Sequence, residues 1–371
     1  MKQLITLFTA VAAALSLQAQ TVKAPSIELF EDGIHHWYLT HEWGSVERVE
    51  ADNYLWIADR VLAYQNADGG WPKNIDYLAK MDPDSVKQTL GAREGRSTFD
   101  NRNIYPQVEY LSKVYELTGK KKYRKAAERG IRYILDNQYP NGSWIGWHDE
   151  AIAYNDDIIT GILNMWQQVM RGESHFDWID QKSRARIAQS WDAGLEIILR
   201  TQYVRNGVKT AWAQQYDQQT LQPAGARTYE LPSLTAQESS SIALFLMNIE
   251  EPSEEVIEAV KAVVAWLDAN KIEGKEIVTT PMPEGNPEDR SIKADRKLVD
   301  NPKAKPIWAR FYELADDQIF LCNRDGIKVY RLEDVLPERR VGYSWYGTWG
   351  NKVLKLYPKW LKRIEAQKSQ K

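Results

Sequence analysis

The residues best able to do chemistry are one arginine and a set of oxygen donors. Arg227 lies in Ala224-Gly225-Ala226-Arg227-Thr228-Tyr229-Glu230-Leu231-Pro232-Ser233-Leu234, a loop opening onto a helix about seventy residues after Asn155-Asp156-Asp157. Asp100-Asn101 holds a similar place earlier in the chain. Carboxylate and amide oxygens are hard donors that suit calcium, whose irregular coordination is completed by water. The five histidines, His35, His36, His41, His148 and His175, are scattered, and no His or Cys spacing matches a zinc site. The chain holds 15 Trp and 19 Tyr against 7 Phe. Rings with an apolar face and a polar edge suit a groove for sugars, and a fixed cation suits an acidic sugar. Together these features predict calcium-assisted chemistry on an acidic polysaccharide. The plainer role for Asn155-Asp156-Asp157 is a helix cap, although three consecutive oxygen-bearing residues exceed what a cap needs.

The elements that must position these groups repeat along the chain. Gln65-Asn66-Ala67-Asp68-Gly69-Gly70-Trp71, Gln138-Tyr139-Pro140-Asn141-Gly142-Ser143-Trp144, and Gln202 to Gly207 followed by Trp212 each come after a helical run. The tryptophans are spaced by 73 and then 68 residues, and such a period marks a supersecondary unit that buries its face only against its neighbours. Apolar stripes at helical spacing fill the intervals: Val108, Leu111, Val114 and Leu117; Ile158, Ile159, Ile162, Leu163 and Trp166; Ile187, Trp191, Leu195 and Ile198; Val256, Val260, Val263, Val264 and Leu267. Gly130 interrupts one further stripe. Two helices per repeat over three repeats predict an all-α fold, an incomplete (α/α)3 toroid with short β-hairpins and long loops. Residues 273–306 lack periodicity and read as a long excursion, and Ile319 to Tyr330, with Asp325-Gly326, reads as a hairpin.

A net charge of −3 and the lack of a basic run argue against nucleic acid. Lys2, the apolar run Leu4 to Leu17 and Ala19 read as an export leader cleaved before Thr21, too short to span a membrane. The expected organisation is a leader at 1–20 and one domain at 21–371, secreted or periplasmic and monomeric. Cys322 is the only cysteine, which excludes an internal disulfide.

Asp68-Gly69-Gly70-Trp71-Pro72-Lys73-Asn74, Thr98-Phe99-Asp100-Asn101, Tyr154-Asn155-Asp156-Asp157, the Arg227 block and Trp308-Ala309-Arg310-Phe311-Tyr312-Glu313 occur in the order seen in polysaccharide lyase family 10. Arg339-Arg340-Val341-Gly342-Tyr343-Ser344-Trp345-Tyr346-Gly347 resembles that family too, and the likeness covers roughly residues 50–355. The resemblance implies a calcium-dependent pectate lyase that cleaves α-1,4-galacturonan by β-elimination. Arg227 matches the family's catalytic base, and Asp100, Asn101 and Asp156 fall in its calcium-ligand blocks, with Asn155 and Asp157 beside them. Lys73, Trp71, Tyr105, Trp144, Trp212, Tyr216 and Arg310 are the expected substrate-binding residues. The expected partner is polygalacturonate or a related acidic polysaccharide.

Departures cluster near the expected cleft. Arg102-Asn103-Ile104-Tyr105-Pro106-Gln107 replaces a run of small residues, Gly142-Ser143-Trp144-Ile145-Gly146 replaces GGWPQ, and Gln215-Tyr216-Asp217 replaces QHD. They leave open a lyase for a modified uronate, a toroid glycoside hydrolase using Asp156 and Glu238 as acid and base, or an inactive carbohydrate binder.

Overall fold

The computed structural model describes residues 24–147 and 150–369. The expected leader and His148 lie outside the described residues. Eleven α-helices follow in order among them: α1 (Glu31–Trp37), α2 (Tyr54–Tyr64), α3 (Pro83–Glu94), α4 (Tyr105–Thr118), α5 (Lys121–Asp136), α6 (Ile158–Met170), α7 (Gln181–Thr201), α8 (Ala236–Met247), α9 (Glu254–Ala269), α10 (Pro337–Gly342) and α11 (Gly350–Ser369). Three antiparallel pairs, α4/α5, α6/α7 and α8/α9, stand side by side, with α2 against the first pair and α11 against the last. The fold is all-α and toroid-like.

Burial separates the two rows. In α6 nearly every side chain from Ile158 to Val169 is buried, as expected of an inner helix flanked by α4 and α8. In α5 only Tyr123, Ala126, Ala127, Gly130, Ile131 and Ile134 are buried, a single stripe that marks an outer helix. Gly130 lies inside α5 and does not interrupt it. A Cβ there would stand 2.5 Å from Val108 Cγ2 and 2.9 Å from the Trp71 ring, so the glycine allows a close approach of two helices.

The repeat is a hydrogen-bonded clasp. The indole N–H groups of Trp71, Trp144, Trp212 and Trp308 donate to the carbonyls of Val61, Ile134, Ile198 and Leu267 at 2.7, 2.9, 2.8 and 2.8 Å. Each acceptor lies in the last turn of a helix, where no backbone N–H of that helix reaches it. Gln65, Gln138 and Gln202 each donate twice through Nε2. One bond goes to their own loop, at Gly69, Gly142 and Thr210, and the other to the next outer helix, at Ala126, Ser190 and Ala259. The sequence spacing shows three copies. Trp308 is a fourth, hidden because residues 273–306 separate it from α9.

That excursion is not irregular. Lys275–Pro281 pairs with Ala294–Asp300 in a seven-rung antiparallel ribbon. Most of its positions are partly or fully exposed, so no apolar alternation betrays it. The expected hairpin is present, with Leu321 opposite Val329, and extends through Phe311–Tyr312 to Leu234–Thr235 as a four-stranded sheet. A second apolar cluster that includes Tyr229, Phe311, Phe320, Leu321 and Trp345 forms there, under the Arg227 loop.

Gln202 is buried, and replacing it by leucine removes two donors from buried carbonyls. Gln202→Leu is expected to cost about 2–4 kcal/mol. Denaturant titration should show a lower midpoint at an unchanged slope.

Candidate active site

The loops entering the three inner helices meet at one end of the molecule. Arg102, just before α4, pairs with Asp157, just before α6, through Nε at 2.9 Å and Nη2 at 2.7 Å. The other Asp157 oxygen accepts from the Ser241 hydroxyl of α8. Arg310 closes the ring by pairing with Glu238 of α8 at 2.8 Å and bonding Gln237. The backbone is strained here. Asn74, Asn101, Arg102, Ile104, Asp156 and Asp157 all have positive φ between 50° and 77°. For a β-branched residue such as Ile104 this is a true outlier, and such strain gathers at functional sites at roughly 1–3 kcal/mol each.

Negative charge is concentrated within this ring. Burial, together with Asp100, Asp32 of α1 and Glu238, pushes the Asp156 carboxyl up to about 7, against the opposing pull of Arg310. Asp100 is held by Lys73 Nζ at 2.5 Å, and Lys73 in turn lies 4.1 Å over the Trp147 ring. Asn155 Oδ1 and Glu238 Oε2 are buried without a hydrogen-bond partner. Asp156, Asp157, Glu238, Tyr154 and Trp349 line a recess of about 210 Å³.

This donor set fits calcium in kind: all oxygen, one amide oxygen orphaned, and one carboxylate held above its ordinary range by neighbouring negative charge. Among the described residues, however, no three His, Cys, Asp or Glu side chains form a ready-made metal cage. Water and a ligand carboxylate would have to complete the shell.

Arg227 lies in the loop before α8. Its Nε and Nη2 donate to the two Glu230 oxygens at 2.7 and 2.6 Å, and its backbone N–H donates to Oε2 at 3.2 Å. Glu230 Oε1 also accepts from Gln214 Nε2 at 3.1 Å and from the Tyr343 hydroxyl at 2.8 Å. The Arg227 side chain remains 44% exposed while that of Glu230 is 4% exposed. Burial alone would lower the affinity of Arg227 for its proton, but the bonds to Glu230 and its charge outweigh burial and raise it. Burial likewise opposes the Glu230 charge, yet Arg227, Gln214 and Tyr343 hold its carboxyl down at about 2. The Tyr343 ring lies 5.6 Å from the Arg227 guanidinium and 5.2 Å from that of Arg310, joining the Arg227 loop to the ring of helix starts.

Residues 65–354 match the family of pectic acid lyases. This chain belongs to that family. The family 10 polysaccharide lyase from Cellvibrio cellulosa superposes with a TM-score of 0.68 at 27% identity, over 91% of this chain and 99% of that one. A single-residue variant of the same enzyme, solved in complex with trigalaturonic acid, matches with the same figures. A search of curated proteins found no match. The protein is therefore a polysaccharide lyase, and the hydrolase alternative falls away.

Of the side chains expected to contact substrate, Lys73 is paired with Asp100 and Arg310 with Glu238, and both are largely buried. The rings of Trp71, Trp144 and Trp212 are fully buried and their N–H groups are spent on helix ends, so no face is left for a sugar. Tyr216 is also in the core, its hydroxyl accepting from the Ala213 N–H at 2.6 Å. Tyr105 packs over Gly161 and lines a separate cavity of about 490 Å³ that shares the Arg102–Asp157 wall. Asp157 is committed to Arg102 and Ser241, and Asn101 donates its amide to Asn74 Oδ1 at 2.7 Å. The sequence reading missed Glu230, Tyr343, Trp147, Trp349 and Asp32. Only Glu230 carried a local signal, three residues after Arg227 in a turn.

The depressed Glu230 carboxyl has a consequence for stability. Its pair with Arg227 stabilises the fold fully above its ordinary value of 4.5, and that contribution is lost as pH falls toward 2. Because Arg227 is well exposed, the contribution is discounted to on the order of 1–2 kcal/mol. The stability difference between the native protein and Glu230→Gln, measured by denaturant titration, should shrink across that window and stay constant from pH 6 to 8.

Proposed function

We propose that this lyase cleaves α-1,4-linked galacturonan by calcium-dependent β-elimination, with Arg227 as the base. The substrate class follows from the relative solved with trigalaturonic acid. The observation carrying the reading is the shared Tyr343 ring. Arg227 and Arg310 both stand over it, and Glu238, the partner of Arg310, lines the recess of Asp156. A guanidinium and an oxygen-donor set thus flank one cleft.

The chemistry is the removal of the C5 proton of a uronate, α to its carboxylate. Arg227 takes that proton on the nitrogen turned away from Glu230. The electrons left on C5 form the C4–C5 double bond, the C4–O bond breaks, and the leaving oxygen is protonated by water. Asp156, Asn155 and Asp100, with Asn101, would hold calcium, which when bound supplies a Lewis acid to the substrate carboxylate. Lys73 and Arg310 add fixed positive charge around that carboxylate. An ordinary guanidinium keeps its proton at neutral pH, so Arg227 acts as a base only when surrounding cations and closure of the cleft by substrate disfavour its charge. We further propose that residues 1–20 are an export leader and that the remainder folds as one unit; N-terminal sequencing of exported protein should begin near Thr21.

Elimination gives a conjugated double bond that absorbs ultraviolet light. Arg227→Ala should reduce kcat on de-esterified pectin by about 10³-fold or more while substrate binding stays measurable, because a base acts in the transition state. Retained turnover with weakened binding would make Arg227 a carboxylate clamp instead.

A chelator should abolish activity and calcium restore it. Asp156→Ala should raise the calcium requirement more than Asp157→Ala, whose carboxylate is occupied by Arg102 and Ser241. Calorimetric calcium titration of the three proteins checks this, and equal affinities would remove Asp156 from the site.

A further inference from the structure

Glu230 is the most heavily engaged carboxylate near the cleft, and elimination as set out above gives it no task. Its two oxygens accept five hydrogen bonds: two from the Arg227 guanidinium, one from the Arg227 backbone, one from Gln214 and one from Tyr343. The turn between them is closed by the backbone as well. Glu230 N–H donates to the Arg227 carbonyl at 2.7 Å, and Ala226 N–H donates to the Glu230 carbonyl at 3.0 Å. A surface Arg–Glu pair spaced three residues apart needs none of this. Here the carboxylate is buried and its lone pairs are saturated, while the arginine side chain stays 44% exposed. The arrangement fixes the plane and reach of one guanidinium.

We propose that Glu230, itself aimed by Tyr343, is the positioning residue of Arg227, and that its charge sets the pH at which Arg227 can accept a proton. The proposal rests on the reading of Arg227 as the base. A fork of two parallel bonds leaves one Arg227 nitrogen, Nη1, free to face the substrate and holds it there. The cost is that the carboxylate favours the charged guanidinium. Glu230 therefore trades basicity for geometry.

The other titratable groups around the pair come from the same loop, the hairpin, α10 and the segment after it. Tyr229 on the same loop has its hydroxyl pushed up by burial, as does Tyr343. Arg324 from the hairpin and Arg339 from α10 both pair with Glu338, whose carboxyl their hydrogen bonds hold down at about 2. Arg310 is paired with Glu238 beyond Tyr343. No histidine is among the neighbours named.

The test uses the full chain with calcium and polygalacturonate, and follows kcat and KM against pH by the ultraviolet absorbance of the product. Glu230→Gln should lower kcat by on the order of 10²-fold, the loss expected when a reacting group is misplaced by about 1 Å. Its KM should change less than about threefold. Its kcat should rise at lower pH than in the native enzyme, because the guanidinium has lost the carboxylate that retains its proton. Glu230→Asp keeps the charge but shortens the reach. It should keep the native pH dependence with a reduced kcat. Tyr343→Phe removes one bond to Glu230 while keeping the ring, and should give a smaller kcat loss of about tenfold. Circular dichroism melts confirm that each variant is folded, and the Asp and Phe variants keep the test open if the Gln variant is not.

Native kcat and pH dependence in both Glu230 variants would overturn the proposal. So would a rise in KM with kcat unchanged, which would assign the pair to ground-state binding. The parent reading is tested separately. If Arg227→Ala keeps its turnover, the base assignment fails; if it is inactive while the Glu230 variants are native in kcat and pH dependence, only the positioning role fails.

Discussion

The structure depends on how the orphan carbonyls at its helix ends are satisfied. A helix leaves its last carbonyls without intrahelical partners, and this chain answers four times with a buried indole N–H. The glutamine of each of the first three copies ties the same loop to the neighbouring outer helix. The clasp joins each outer helix to the next and fixes where the chain turns inward. The loops that follow deliver Asp100, Asp156 and Glu238 to the starts of adjacent inner helices. The tryptophans are thus essential to the site without touching it.

At those helix starts the fold accepts several unfavourable local states. Six residues around the cleft have left-handed backbone, carboxylates crowd one another, and the Asn155 Oδ1, Glu238 Oε2 and Ser240 Oγ oxygens are buried without partners. Arg102–Asp157, Lys73–Asp100 and Arg310–Glu238 balance part of the charge, and helix N-termini favour anions there. What is left over is an unbalanced Asp156 beside an orphaned Asn155 oxygen. That residual is an excess of negative charge, which under the proposed function a divalent cation would offset. Asp32 adds to it from a segment that precedes the family-matched residues 65–354.

The two arginines at the cleft differ in a way their sequence blocks do not reveal. Arg310 is buried, pinned to α8 through Gln237 and Glu238, and serves as fixed positive charge. Arg227 is pinned on one edge only and is open on the other. Both share the Tyr343 platform, so the C-terminal segment after α10 couples a loop before α8 to the end of the helix rows.

Much of the fold was legible in the sequence. Helical spacing of apolar residues and the Gln–Gly–Trp recurrence are local patterns, and they give the paired helices because burying a stripe demands a neighbour. The family was legible as well, since the blocks around Trp71 and Arg227 are long and specific. The roles of the aromatic rings were not. Trp71, Trp144, Trp212 and Tyr216 have the same composition signal whether they face a sugar or a helix end, and only the path of the folded chain decides which. The exposed ribbon at 275–300 was invisible because strands that bury little need no alternation. Asp32, Trp147, Tyr343 and Trp349 reach the cleft from segments far apart in sequence, and Glu230 acquired its partners Gln214 and Tyr343 the same way. Sequence alone determined which side chains were available and which helices would form. Tertiary structure decided which of them met, because charge pairing, burial and the close approach of rings depend on distances that no spacing along the chain encodes.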